Sequence, residues 1–277
     1  MALRRRGLAS EVWGFARRES TAREAVSLGA VDRAGTRAEE VLEGADLVVL
    51  CTPVARMGPL LAEASGRLHP GVLVTDVGSV KATVVDAVEG IVHRAGGWFV
   101  GSHPMAGSER SGVGAAREDL FAGAMVVVTP TPASDGGAVE ATCGLWRAVG
   151  SRVLRLSPRR HDELVARSSH LPHLVAAALA RFVLTPEFGE DQPRLCATGF
   201  RDTPRVASGS PEMWRDIAVG NREAILAALD GFGAELAGLR AAVAAGDAAA
   251  LEEWLRTAKG RRDGWNGAGE APGAAGE

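Results

Sequence analysis

The sequence predicts an α/β domain built on a doubly wound parallel sheet, followed by an all-helical domain, and three observations carry that expectation. Short apolar runs at 11–15, 46–51, 72–76, 98–101, 124–129 and 152–156 alternate with helix-like stretches at 20–28, 54–67, 80–95 and 136–149. That alternation is the signature of parallel strands joined by crossover helices. Two runs, Leu47-Val48-Val49-Leu50 and Met125-Val126-Val127-Val128, are apolar at every position, as strands covered on both faces must be. After Ser157 the strand signals stop. The boundaries expected are 1–156 for the α/β domain, 157–263 for the helical domain and 264–277 for a disordered tail rich in Gly, Ala, Pro and Glu.

In the helical half, Ser157-Pro158 reads as an N-cap followed by proline at the first helical position, opening a helix toward Val183. Pro172 inside it should kink or break the helix near His170 and His173. Ser210-Pro211 repeats the cap-plus-proline start before a long helix, in which Leu226, Leu229, Phe232, Leu236, Leu239 and Val243 recur at three- and four-residue steps. Those positions share one apolar face, which suits a dimer interface. Gly246 ends this helix and Asp247 caps another.

Bulk properties narrow the function. A net charge of −3 gives no footprint for nucleic acid or an anionic membrane. No apolar run approaches the ~20 residues that span a bilayer, and Met1-Ala2-Leu3-Arg4-Arg5-Arg6 lacks the apolar region of a secretory signal. The expected location is the cytoplasm. Cys51, Cys143 and Cys196 lie far apart with no C-x-x-C spacing, so free, buried thiols are expected rather than zinc or disulfides.

The chemistry concentrates at three strand ends: Cys51-Thr52-Pro53, the run from Asp76 to Lys81, and Ser102-His103 in a glycine-rich turn. Each alone is accounted for by a helix cap. Three at successive crossovers indicate a ligand crevice beyond the carboxyl ends of the strands. The helical half adds Ser169, His170 and His173, then Arg205 in Gly199-Phe200-Arg201-Asp202-Thr203-Pro204-Arg205. His170 and His173 stand three apart, but no further ligands at metal spacing accompany them, so no metal is expected. An arginine such as Arg205 suits bidentate binding of a substrate carboxylate.

DVGSVK at 76–81, GSHPMAGSERSG at 101–112, SHLPH at 169–173, GFRDTPRVA at 199–207 and MWRDI at 213–217 together resemble the prephenate dehydrogenases, the cyclohexadienyl dehydrogenases of tyrosine biosynthesis. The resemblance runs in order from about residue 3 to about 262. It implies a Rossmann-like domain and a helical dimerisation domain. It also implies NAD(P)-dependent oxidative decarboxylation of prephenate to 4-hydroxyphenylpyruvate, with arogenate as the alternative substrate and a homodimer as the assembly. His103 matches the catalytic histidine, Ser79 the serine that orients it beside the nicotinamide, and Arg205 the anchor of a substrate carboxylate. His173 and Ser169 match residues lining the pocket. Ser108 and Glu109 follow the catalytic loop, with Glu109 expected to pair with Arg205. Thr52, Pro53, Asp76 and Ser79 fall on the cofactor side. A hydroxyacid dehydrogenase of similar layout is disfavoured because it uses a helix-borne lysine, and none precedes Lys259 in the helical half.

One departure stands at the start. A dinucleotide-binding domain opens with an apolar strand and a G-x-G-x-x-G turn that meets the pyrophosphate; neither precedes Glu11 here. The expectation is that Met1 is an internal codon of a longer protein, the alternative being a truncated, non-catalytic dimeric remnant. The next strand end reads Gly14-Phe15-Ala16-Arg17-Arg18, with no acid for the ribose hydroxyls of NAD. Arg17 and Arg18 point instead to NADP, or to use of both cofactors.

Overall fold

The computed structural model describes residues 1–107 and 112–265. The first domain runs α1 (Ala2–Arg5), β1 (Trp13–Phe15), α2 (Glu19–Ser27), β2 (Arg33–Gly35), α3 (Ala38–Leu42), β3 (Leu47–Leu50), α4 (Val54–Ala64), β4 (Leu73–Asp76), α5 (Ala82–Arg94), β5 (Trp98–Pro104), β6 (Met125–Thr129), α6 (Gly136–Ala148) and β7 (Arg152–Arg155). The second domain runs α7 (Pro158–Val165), a π turn at Ala166–His170, α8 (Leu171–Val183), α9 (Asp191–Arg194), α10 (Thr198–Asp202), α11 (Pro211–Gly220), α12 (Arg222–Ala245) and α13 (Ala248–Asp263).

β3, β4 and β5 pair in parallel and in order, so their carboxyl ends, and the polar residues following them, emerge on one edge. The apolar runs separate onto two faces. Val72, Val74 and Phe99 pack with Met57 and Leu61 of α4 and Val84, Val88 and Val92 of α5. Val100, Val126 and Val128 face Val139, Cys143 and Trp146 of α6. Each fully buried Val side chain contributes about 1.5–3 kcal/mol, which is why these strands are the most legible in the sequence.

Three features differ from the expectation. The sheet is not parallel throughout: β6 runs antiparallel to β5, with His103 opposite Val127, and β7 is parallel to β6. Parallel return needs a crossover long enough to span the sheet, usually a helix; the described residues between β5 and β6 contain only a 3₁₀ turn at Val113–Ala115. A strand not foreseen, β2, pairs with β1 to form a separate two-stranded sheet. The strands are divided between two sheets, β1-β2 and β3-β4-β5-β6-β7. Of the three free thiols only Cys143 is buried; Cys51, just past β3, is exposed.

Local signals set the helical domain. Ser157, Ser210 and Asp247 accept hydrogen bonds from the backbone N–H three residues on, capping α7, α11 and α13. Pro172 has no N–H to give to residue 168, and its ring crowds that carbonyl. The helix answers with the π turn just before it rather than with a break. α12 ends at Gly246 in the left-handed region. The buried core here is small, chiefly Ala166, Ile225 and Ala228. Leu226, Leu229, Leu236 and Val243 of α12 stay exposed. No helix among the described residues is long and apolar enough to cross a membrane. Of the segment expected as a tail, 266–277 lies outside the described residues; Gly264 and Trp265 follow directly on α13.

Candidate active site

A cavity of about 350 Å³ opens where the two domains meet, lined by Ser79, His103, Met105, Ser169, His170 and Trp214 among others. The sheet supplies Ser79 after β4 and His103 near the end of β5; the π turn supplies Ser169 and His170; α11 supplies Trp214. Pro172 thus has a functional consequence: the turn it induces carries two of the polar wall residues.

His103 is 8% exposed. Its Nδ1 lies 2.8 Å from Nε2 of His161, and Nδ1 of His161 lies 2.8 Å from Oδ1 of Asp162. Nε2 of His103 has no hydrogen-bond partner among the described residues, which leaves it for the cavity. Burial holds the imidazole well below its ordinary pKa, reinforced by His161, Lys81 and His170. A buried imidazole of this kind is neutral near pH 7 and able to accept a proton. His170 is driven down to about 4, again mainly by burial; its Nδ1 lies 3.2 Å from Nδ2 of Asn221, and its buried Nε2 has no hydrogen-bond partner among the described residues.

Beneath the cavity, Lys81 and Asp76 form a fully buried ion pair. The Lys81 ammonium also donates to the Ser102 carbonyl at 2.8 Å, and Asp76 accepts from the Gly78 and Ser102 backbone N–H groups at 2.8 and 3.0 Å. Burial lowers the Lys81 pKa and Asp76 opposes that shift. This pair ties the end of β4 to β5 immediately before His103.

The predicted residues separate into distinct groups. His103, Ser79 and Ser169 come together at the cavity. Ser79 does not orient His103 as expected; among the described residues, His103 makes its one ring hydrogen bond to His161. Asp76 is corrected from a cofactor contact to an internal anchor, because its carboxylate is wholly buried and engaged by Lys81 and two backbone donors. His173, expected to line the pocket, stacks on Trp214, which lines the cavity, with ring centroids 3.5 Å apart and planes 9° from parallel. Arg205 is exposed and is not among the lining residues; it makes no ion pair with any described residue. Ser108 and Glu109 lie outside the described residues, and with them the pairing expected between Glu109 and Arg205. His161, Asp162, Trp214 and Asn221 were not anticipated. The adjacent His161-Asp162 pair, directly after a domain boundary, was the available signal.

The cofactor side fits in part. Thr52, at the carboxyl end of β3, has a buried Oγ1 with no hydrogen-bond partner among the described residues, so a polar group docked beside Thr52 and Pro53 would complete it. Arg17 and Arg18 lie exposed beyond β1 and form no ion pair with described residues. No G-x-G-x-x-G turn precedes β1 in the sequence, so a phosphate cradle is not among the described residues. Nor is any group of three or more His, Cys, Asp or Glu placed to hold a metal ion among them.

Comparison with known proteins then decides the family. Residues 1–155 match the nucleotide-binding domain of prephenate dehydrogenase and residues 157–257 its dimerization domain. The chain belongs to the prephenate dehydrogenase family. It is 39% identical to a prephenate dehydrogenase of Bacillus subtilis over 87% of its own length, spanning 65% of that relative. It is 35% identical to a cyclohexadienyl dehydrogenase of Zymomonas mobilis, covering 81% of this chain and 76% of that one. The fold is similar to the crystal structure of Aquifex aeolicus prephenate dehydrogenase in complex with hydroxyphenyl propionate and NAD+, with TM-score 0.88, 33% identity, and 95% and 91% of the two chains covered.

Proposed function

We propose that this chain carries out the NAD(P)-dependent oxidative decarboxylation of prephenate to 4-hydroxyphenylpyruvate. The observation that carries the reading is His103: a buried imidazole at the end of β5, with Nε2 directed to the cavity and a pKa depressed by burial, in a chain of this family. Thr52, Pro53 and Ser79 would hold a nicotinamide, which when bound would supply the hydride acceptor. As hydride leaves the carbinol carbon, Nε2 of His103 takes the hydroxyl proton. The resulting ring ketone accepts the electron pair released when the ring carboxylate departs as carbon dioxide. The proton then returns to the oxygen as the ring becomes a phenol. Met105, Met213, Trp214 and Ile217 give the cavity an apolar wall against which a carbon ring can pack. Arg17 and Arg18 favour NADP or both cofactors at the adenosine end. The test is turnover by the purified protein with prephenate and arogenate, each with NAD+ and NADP+. The expected result is activity on prephenate, with NADP+ used at least as well as NAD+. Activity confined to arogenate, or none with either substrate, would overturn the reading.

Arg205 supports a carboxylate contact through its exposed guanidinium, which has no ion-pair partner among the described residues. Arg205→Gln is expected to raise KM for prephenate roughly tenfold or more with little change in kcat, since loss of a charge-assisted hydrogen bond costs about 1.5–3 kcal/mol of binding. An unchanged KM would remove Arg205 from the site.

The assembly we propose is a homodimer through the helical domain. The support is the exposed apolar face of α12, with Leu236 47% and Val243 61% exposed, in a segment matching a dimerization domain. Exposed apolar surface of this kind marks an interface. Leu236→Asp is expected to shift the protein from dimer to monomer in analytical ultracentrifugation, whereas a dimer that persists would place the interface elsewhere.

A further inference from the structure

We propose that His161, held by Asp162, is a positioning residue that fixes His103 in the tautomer presenting an unprotonated Nε2 to the cavity. This role rests on the reaction proposed above, and the hydrogen bonds around Asp162 set it. Asp162 has two oxygens and both are committed: Oδ1 accepts from the Lys81 backbone N–H at 2.8 Å, and Oδ2 from the Ala82 backbone N–H at 2.8 Å. The carboxylate thereby caps the N-terminus of α5, where it is favoured electrostatically, and Asn221 holds the same residue through its carbonyl at 2.8 Å. A carboxylate so placed accepts, so Nδ1 of the fully buried His161 must donate to it.

The consequence passes along the line. A neutral imidazole protonated at Nδ1 has its lone pair on Nε2, so Nε2 of His161 accepts, and Nδ1 of His103, 2.8 Å away, must donate. His103 then carries its lone pair on Nε2, the nitrogen left to the cavity and the one a general base needs. Without His161 either tautomer is open to His103, and the inactive one carries a hydrogen where the substrate proton must go. The line ending at the Asp162 carboxylate is related to the histidine–carboxylate logic of hydrolytic triads, used here to fix a tautomer. The groups acting on His103 are cationic or neutral: His161 on α7, Lys81 before α5 and His170 in the π turn all disfavour its charged form.

The decisive experiment reads the tautomer directly. Histidine-15N-labelled full chain is examined by long-range 1H–15N correlation, with His103→Asn identifying the His103 signals among the six histidines. Wild type is expected to show His103 protonated at Nδ1 and bare at Nε2 at neutral pH. His161→Leu, which keeps bulk but removes the acceptor, is expected to mix the two tautomers. It should also lower kcat roughly 10- to 100-fold with KM within a factor of about three, and change the acid limb of the kcat–pH profile. His161→Gln, whose amide oxygen can still accept from His103, is expected to restore most of kcat and the wild-type tautomer. The tautomer arm needs no substrate, so failure of the proposed reaction leaves it standing. A wild-type His103 protonated at Nε2, or a folded His161→Leu protein with unchanged tautomer and kcat, would overturn the proposal.

Discussion

His103→Asn lowers turnover of prephenate roughly 10³-fold, within the range for loss of a positioned general base, while affinity for the nicotinamide cofactor stays within a factor of about three. Asparagine keeps a polar group of similar reach but cannot accept a full proton near pH 7. The pH dependence of the wild type belongs to the same expectation. The neutral imidazole is the active form, and burial holds its pKa well below 6.5. Activity is therefore full at neutral pH and falls only as pH drops through that lowered value, so the acid limb lies below the ordinary histidine range. Steady-state kinetics across pH on both proteins checks this. An acid limb at or above 6.5, or an Asn variant with wild-type kcat, would show that another group takes the proton.

The largest stability effect belongs to Asp76→Ala. It leaves the Lys81 ammonium, which has no exposure at all, without its counter-charge, and frees the Gly78 and Ser102 backbone N–H groups that Asp76 now satisfies. Breaking a buried pair from one side costs about 3–5 kcal/mol. Urea denaturation should show a loss of that order, and combining Asp76→Ala with Lys81→Met should recover part of it, because the stranded charge is then gone. A loss under about 1 kcal/mol would mean that Lys81 reaches solvent, contrary to the structure. The pair matters to the site because Ser102, bonded at its backbone to both members, is the residue before His103.

Much of this was legible in the sequence, for physical reasons that can be named. β3 and β6 declare themselves because strands covered on both faces must be apolar at every position. β2, Arg33–Gly35, has no apolar run because it forms one edge of a two-stranded sheet. The reversal at β6 was hidden because an apolar run carries no direction; only the lack of a crossover helix before it bears on that. His103 was legible because strand ends in open sheets are where ligands bind. His161 was not, because on α7 it reads as one polar residue in the first turns of a helix, and its meaning depends on packing against β5 and α5 from the other domain. The stacking of His173 on Trp214 was likewise hidden, because the two lie forty-one positions apart and only packing joins them.

In the reaction proposed for it, the cavity around His103 couples hydride removal to loss of the ring carboxylate. Reduced nicotinamide and carbon dioxide are then measured together with prephenate as sole substrate. Equal amounts of both are expected at every time point, formed by the wild type and nearly abolished in His103→Asn. Reduced cofactor accumulating without carbon dioxide, or equal yields from wild type and His103→Asn at the same rate, would contradict it.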